Sequence, residues 1–136
     1  MMPGIQEFGG GRMVLVAEDD TMVRRFVRFL LTQMGFEVMD AETGEAALSL
    51  SREYLGDIAL LLTNVRMPGM QGPELARIIA RERPNTKTLI MSAYTTAELD
   101  AMSTGNDFLC KTFLPEVFRA KVREVLTSPE TEPQEI

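Results

Sequence analysis

The stretch LLLTNVRMPGMQG, residues 60–72, runs from an apolar strand into a turn and leaves the polar side chain of Asn64 at the junction. Met67, Pro68 and Gly69 suit a turn, because proline restricts φ and glycine tolerates positive φ. Such a frame presents the side chain at position 64 at the carboxyl end of the strand, and that side chain is an amide rather than an acid. The stretch therefore raises the question of why such a frame holds an amide and not an acid.

Short apolar runs and amphipathic helical patterns alternate on both sides of this stretch. We predict strands at residues 13–17, 36–40, 58–63, 87–92 and 107–110. We predict helices ending at Gly35, over 43–54, between Pro73 and Pro84, over 96–103 and from Pro115 onward. Strands that are apolar on both faces and separated by helices are typical of a parallel sheet covered by helices on both sides. The predicted fold class is therefore α/β.

Composition limits the classes of function. The chain has 136 residues, a formal net charge of −6, no histidine and a single cysteine, Cys110. The negative charge argues against a broad nucleic-acid or membrane surface, and the absence of histidine excludes histidine-based catalysis on this chain. The longest apolar run, residues 58–62, is too short to cross a bilayer. We expect a cytoplasmic protein, with Cys110 as an inert residue of a buried strand.

The chain is predicted to be one domain with polar ends. We expect residues 1–11 to be a flexible, glycine-rich segment, residues 12–126 to form the domain, and residues 127–136 to be a disordered acidic tail. Nothing in the sequence indicates an internal repeat or a second domain.

Polar side chains follow four of the predicted strands. They are Glu18, Asp19 and Asp20 after the first strand, Asn64 after the third, Ser92 at the end of the fourth and Lys111 after the fifth. In parallel sheets the working residues lie at the carboxyl ends of the strands. Oxygen ligands suit Mg²⁺, and a lysine with a hydroxyl suits a phosphoryl group. Each residue alone is more often structural, and an acidic triplet is more often a helix N-terminus. Their joint occurrence favours a site.

The segments VLVAEDD, LLLTNVRMPGMQG, LIMSAY and DFLCK together resemble the receiver domain of bacterial two-component response regulators over residues 12–126. The stretch MPGMQGPELA is most similar to receivers attached to hybrid sensor kinases. The resemblance implies a flavodoxin-like (βα)5 three-layer sandwich with a parallel five-stranded sheet in the order 2-1-3-4-5.

The resemblance also implies roles for individual residues. The Mg²⁺ ligands would be the side chains of Glu18, Asp19 and Asn64 and the backbone carbonyl of Arg66. The residues that contact the phosphoryl group or switch with it would be Ser92, Lys111 and Phe108.

Asn64 stands where the family has the aspartate that accepts the phosphoryl group. A carboxylate oxygen can attack phosphorus, whereas an amide oxygen is a poor nucleophile and cannot form an acyl phosphate. One negative charge is lost as well, so we expect Mg²⁺ to bind weakly or not at all. Removing one of three crowded carboxylates relieves repulsion, and we therefore expect the metal-free chain to be more stable than its Asn64→Asp variant.

Two further departures from the family pattern concern the loop around Lys111. Thr112 follows Lys111 where the family has proline, and a slack loop there could aim the lysine away from the pocket. Only 18 residues separate Ser92 from Lys111, a few fewer than is usual in the family. The shortage falls on the fourth helix, and the family's usual output and dimerisation surface includes that helix.

We therefore interpret the chain as a two-component signal-transduction pseudo-receiver. It would not be an enzyme, and it would act as a phosphorylation-independent interaction module. Its partner would be a histidine kinase, a phosphotransfer protein of a phosphorelay or another signalling protein, and the chain would be a monomer or weak dimer. The alternative is an ordinary phospho-accepting receiver captured as an engineered Asp-to-Asn variant. A remote alternative is a haloacid-dehalogenase-like phosphatase, although residues 18–22 fit that family's nucleophile motif poorly.

Overall fold

The chain folds around a five-stranded parallel sheet. The computed structural model describes residues 8–93, 107–111 and 113–127. The strands are β1 (Met13–Ala17), β2 (Glu37–Ala41), β3 (Ile58–Asn64), β4 (Lys87–Ser92) and β5 (Asp107–Cys110). Their order in the sheet is β2-β1-β3-β4-β5, with every neighbouring pair parallel. The predicted flavodoxin-like fold and strand order are confirmed.

Helices cover both faces of the sheet. Those described are α1 (Thr21–Gln33), α2 (Gly44–Glu53), α3 (Gly72–Glu82) and α4 (Pro115–Thr127). None of the helices in the described residues is long and apolar enough to cross a membrane. The predicted helix over 96–103 lies outside the described residues.

Alternate residues of the strands supply two separate cores. Val14, Val16, Leu60 and Leu62 face α1 and α4, where they pack in one cluster with residues such as Phe118. The intervening residues of the same strands face α2 and α3 in a second cluster, which includes Leu15, Leu61, Leu75 and Ile79. Because successive strand side chains point to opposite faces, a strand between two helical layers must be apolar throughout.

Local signals begin and end the helices. The Thr43 side chain accepts a hydrogen bond from the backbone N–H of Ala46 at 3.0 Å and so caps α2. Gly35, at φ 94°, adopts the left-handed conformation that ends α1. These two residues therefore determine where α2 begins and where α1 ends.

The segment just before β1 is packed, which differs from the expectation of a flexible stretch up to residue 11. The N–H of Gly9 donates to the carbonyl of Met34 at 2.6 Å, and the N–H of Gly11 donates to that of Gly35 at 2.8 Å. The Phe8 ring meets the Phe36 ring edge-on at 6.0 Å between centroids. Residues 8–11 are therefore part of the folded domain. Their apolar content is too low for the sequence pattern to indicate this.

Arg83 joins α3 to the end of α2. Its guanidinium donates to the carbonyls of Ser51, Tyr54 and Gly56 at 2.8, 2.7 and 2.8 Å, and to the Ser51 hydroxyl at 3.0 Å. The carbonyls at the end of a helix lack intrahelical partners and carry partial negative charge. A cation placed there satisfies them and holds α2 against α3.

Candidate functional site

The strand order places the carboxyl ends of β1, β3, β4 and β5 side by side. Ala17 of β1 is in register with Thr63 of β3, so Glu18 and Asn64 follow at equivalent positions. Ser92 of β4 is in register with Cys110 of β5. The N–H of Lys111 donates to the carbonyl of Ser92 at 2.7 Å. The polar residues that lie far apart in the sequence therefore meet at one edge of the sheet.

The Asn64 amide nitrogen lies among three oxygens. Nδ2 is 2.7 Å from the carbonyl oxygen of Arg66, 3.1 Å from Oδ1 of Asp19 and 3.5 Å from Oε2 of Glu18. These three residues were predicted, with Asn64, as ligands of one metal ion. The structure brings all four together, and their role toward a metal stays a prediction.

The surroundings determine which way the amide faces. An amide nitrogen carries two N–H donors, while its oxygen only accepts. All three neighbouring groups are acceptors, so rotating the amide by half a turn would set its oxygen against three other oxygens. The orientation with nitrogen toward Arg66, Asp19 and Glu18 is therefore the favoured one in the absence of a cation.

Glu18 is the buried acid of the site. Its side chain is fully buried, and Oε1 lies 2.9 Å from Nζ of Lys111. Within the described part of the chain, no other donor lies within hydrogen-bond distance of that oxygen. Oε2 accepts a hydrogen bond from the N–H of Asp20 at 3.0 Å. Burial raises the pKa of Glu18 above its usual value, and the Lys111 ammonium and the Asp20 N–H oppose that rise.

The raised pKa of Glu18 gives a pH-dependent contribution to stability. The folded state holds this proton more tightly than the unfolded state, so the free energy of unfolding falls as pH rises from about 4.5 through the raised value. A Glu18→Gln variant lacks this term. We expect the difference in unfolding free energy, native minus variant, to decrease across that window and then level off. Urea unfolding at a series of pH values in chelating buffer measures it, and a difference that increases with pH would contradict the assignment.

Asp20 and Arg24 support the site from α1. The Asp20 carboxylate accepts from the N–H groups of Met22 and Val23 at 2.9 and 3.3 Å and caps the helix. Of the three consecutive acidic residues, Asp20 is thus the one that caps a helix N-terminus. The Arg24 guanidinium donates to the backbone carbonyl of Glu18 at 2.8 Å. Arg24 therefore flanks the site instead of lying on a solvated helix face.

The loop between β3 and α3 is tied down at both ends and in the middle. The N–H of Val65 donates to the carbonyl of Met91 at 3.0 Å, and the N–H of Gly72 donates to that of Val65 at 2.8 Å. The Glu45 carboxylate accepts from the N–H of Met70 at 3.0 Å. Sequence reasoning missed Glu45, because an acid in the first turn of a helix is ordinary. These bonds fix the backbone that carries the carbonyl of Arg66.

Lys111, Ser92 and Phe108 occupy the remaining predicted positions. Lys111 points into the site, so the suggestion that a slack loop turns it away is wrong; Thr112 itself lies outside the described residues. Ser92 is buried at the end of β4. Phe108 is half-buried on β5, in register with Ile90. Their phosphoryl-related roles stay predictions.

Cys110 is exposed, which corrects the expectation of a buried residue. It lies in β5, the last strand in the sheet order. The neighbouring Leu109 is buried instead. A strand of only four residues, Asp107–Cys110, does not reveal which of them face the helical layers.

Comparison with known proteins agrees with this architecture. Residues 14–123 match the family described as the response regulator receiver domain. The chain belongs to that family, and not to the haloacid-dehalogenase-like phosphatases. Receiver domains are signalling modules of two-component systems, and they interact with kinases or phosphotransfer proteins.

Relatives and solved structures cover most of the chain. It is 34% identical over 116 residues to a cyclic di-GMP phosphodiesterase of Thermotoga maritima, which covers 83% of this chain and 30% of that protein. It is 32% identical over 119 residues to a chemotaxis protein CheY homologue of Campylobacter jejuni, covering 83% of this chain and 91% of that one. The chain spans less than a third of the phosphodiesterase, so that activity is not transferred to it.

A solved structure shows the same fold with a metal bound. The response regulator TrrA of Thermotoga maritima, in complex with Mg²⁺ and BeF, superposes with a TM-score of 0.74 at 28% identity, covering 85% of this chain and 99% of TrrA. In that structure Mg²⁺ and BeF are bound to TrrA. A metal role for Asn64 and its neighbours stays a prediction.

Proposed function

We propose that this chain is a pseudo-receiver, which is not phosphorylated at the usual site and acts through protein contacts that do not depend on phosphorylation. Its partner would be a histidine kinase, a phosphotransfer protein or another signalling protein in the cytoplasm, and nucleic acid would not be bound by this domain. A monomer or weak dimer is the expected state. The observation that supports this proposal most is the Asn64 amide, which directs its nitrogen at three oxygens at the position where the family resemblance implies an acceptor aspartate.

The chemistry of the amide supports this proposal. Phosphoryl transfer to a receiver requires an oxygen nucleophile that becomes an acyl phosphate. The Asn64 oxygen carries no charge, and its nitrogen is engaged with Arg66, Asp19 and Glu18. The chain therefore lacks an acceptor at this position and would not catalyse its own phosphorylation there.

A second candidate is an ordinary phospho-accepting receiver whose acceptor was replaced by asparagine. One observation favours it: Lys111 pairs with Glu18, and Nδ2 of Asn64 lies 3.5 Å from the Glu18 carboxylate. Lys111 points into the site, and Ser92 is buried at the end of the neighbouring strand. On this hypothesis only the acceptor is missing, and restoring aspartate would restore the reaction.

Intact-mass measurement after incubation with Mg²⁺ and acetyl phosphate tests both candidates. We expect the native chain to gain no phosphoryl group, since an amide cannot accept one. A phosphoryl adduct on Asn64, or a stable adduct elsewhere in the domain, would overturn the proposal.

Two variants serve as controls for this measurement. Asn64→Asp is expected to gain one phosphoryl group if the surrounding pocket is competent. This result would support the second candidate, a phospho-accepting receiver whose acceptor was replaced by asparagine. Combining Asn64→Asp with Lys111→Ala is expected to reduce that gain, because the ammonium that would contact the phosphoryl group is removed. An inert Asn64→Asp variant would instead indicate a degenerate pocket and favour the pseudo-receiver.

A further inference from the structure

We infer that the Asn64 side-chain nitrogen occupies the position of the metal ion, so that the site is closed to Mg²⁺ by the chain itself. The inference deepens the proposed function, because a module that needs no phosphoryl group then needs no cation either. It concerns what fills the site, whereas the proposed function concerns what reacts there.

The hydrogen bonds of Asn64 converge as metal–ligand bonds would. Its Nδ2 atom lies 2.7 Å from the Arg66 carbonyl oxygen in the segment after β3. It lies 3.1 Å from the Asp19 carboxylate and 3.5 Å from the Glu18 carboxylate, both in the segment after β1. An N–H group carries partial positive charge, so it attracts the same oxygens that a cation would. With two N–H donors and three acceptors, the shorter two contacts carry most of the interaction.

Two of the three oxygens, those of Arg66 and Glu18, are held in place by other contacts. The Arg66 carbonyl lies in the loop tied by Val65, Met70 and Gly72. The Glu18 carboxylate is fully buried and held by the N–H of Asp20 and the ammonium of Lys111. A cation entering the site would therefore have to displace the amide nitrogen, because the Arg66 and Glu18 oxygens cannot make room for it.

The site also needs less positive charge than a typical receiver site. Glu18, Asp19 and Lys111 together leave one net negative charge, because Asn64 adds none. Lys111 pairs directly with Glu18 at 2.9 Å. The described residues contain no group of three acidic, histidine or cysteine side chains that could hold a metal. The residues present thus do not fit Mg²⁺, because the Asn64 amide nitrogen lies among the oxygens that would hold the ion and the Glu18 carboxylate is already paired with Lys111.

Two explanations of weak Mg²⁺ binding make different predictions for Asn64→Ala. If only the lost charge matters, alanine is no better than asparagine, since both are neutral. If the amide fills the site, alanine removes it, and the oxygens of Glu18, Asp19 and Arg66 then face the space that Nδ2 occupied. We expect Asn64→Ala to bind Mg²⁺ at least about tenfold more tightly than the native chain, because no amide hydrogen bonds must be broken.

Titration with Mg²⁺, followed by backbone and side-chain NMR of the full chain, measures this difference. We expect the side-chain amide resonances of native Asn64 to stay unshifted in millimolar Mg²⁺. The Ala variant should show saturable shifts at Glu18 and Asp19, and the double variant Asn64→Ala with Asp19→Asn should lose them. Asn64→Asp provides the tight-binding reference.

Equal affinity of the native chain and Asn64→Ala would overturn the inference, as would a shift of the native Asn64 amide resonances on adding Mg²⁺. The native amide resonances decide the matter even if the Ala variant fails to fold. The titration requires no phosphodonor, so its failure is distinguishable from failure of the proposed function. A native chain that is phosphorylated, but whose Asn64 amide resonances do not shift on adding Mg²⁺, would contradict only the proposed function.

Discussion

The Asn64→Asp variant is expected to melt about 6–12 °C below the native chain in Mg²⁺-free buffer, corresponding to about 2–3 kcal/mol of lost stability. The substitution replaces the donor Nδ2 by an oxygen that would lie against the carbonyl of Arg66 and the carboxylates of Asp19 and Glu18. Two hydrogen bonds are lost, and a third negative charge is added beside Glu18, which is fully buried. Thermal unfolding followed by circular dichroism in the presence of a chelator measures the effect.

The Asn64→Ala variant separates the two causes. It removes the donor without adding charge, so its melting temperature should lie between those of the native chain and Asn64→Asp. Added Mg²⁺ should raise the melting temperature of Asn64→Asp, because a ligand that binds only the folded state stabilises it. The native chain should show no such rise. An aspartate variant that melts at or above the native temperature without Mg²⁺ would contradict the account.

Replacing Arg83 by alanine is expected to cost about 2–4 kcal/mol of stability, far from the candidate site. The guanidinium donates four hydrogen bonds to Ser51, Tyr54 and Gly56 at the end of α2. Its removal leaves carbonyls at the negative end of a helix without their cationic donor. Urea denaturation of the two chains under identical conditions gives the difference in unfolding free energy.

Arg81 offers a matched control in the same helical turn. It is exposed, so Arg81→Ala is expected to change stability by no more than about 0.5 kcal/mol. Arg83→Lys should recover only part of the loss, because an ammonium lacks the planar fork that reaches several carbonyls at once. Equal effects of the alanine substitutions at 81 and 83 would show that the contacts of Arg83 do not stabilise the fold.

Much of the architecture could be predicted because the core pattern is strong. Runs such as residues 13–17 and 58–63 are apolar on both faces, which only a sheet between two helical layers accommodates. The strand order came from resemblance to a family and not from periodicity. Given that order, Glu18, Asn64 and Lys111 had to meet at one edge, and they do.

The contacts within the site could not be predicted, because they depend on side-chain geometry. The family resemblance implies that Lys111 contacts a phosphoryl group, and that role stays a prediction; its ion pair with Glu18 could not be read from the sequence. The direction of the Asn64 amide follows from which atoms surround it, and spacing along the chain carries no such information. The packing of Phe8 and the hydrogen bonds of Arg83 to the end of α2 were missed for the same reason, since each joins distant segments through one side chain.

The most direct test of the central claim is a crystal structure of the native chain grown in Mg²⁺. We expect Nδ2 of Asn64 to lie within hydrogen-bond distance of Asp19 and of the Arg66 carbonyl, with no ion among them. An ion at about 2.1 Å from octahedrally arranged oxygens, with the Asn64 oxygen turned toward it, would contradict the account.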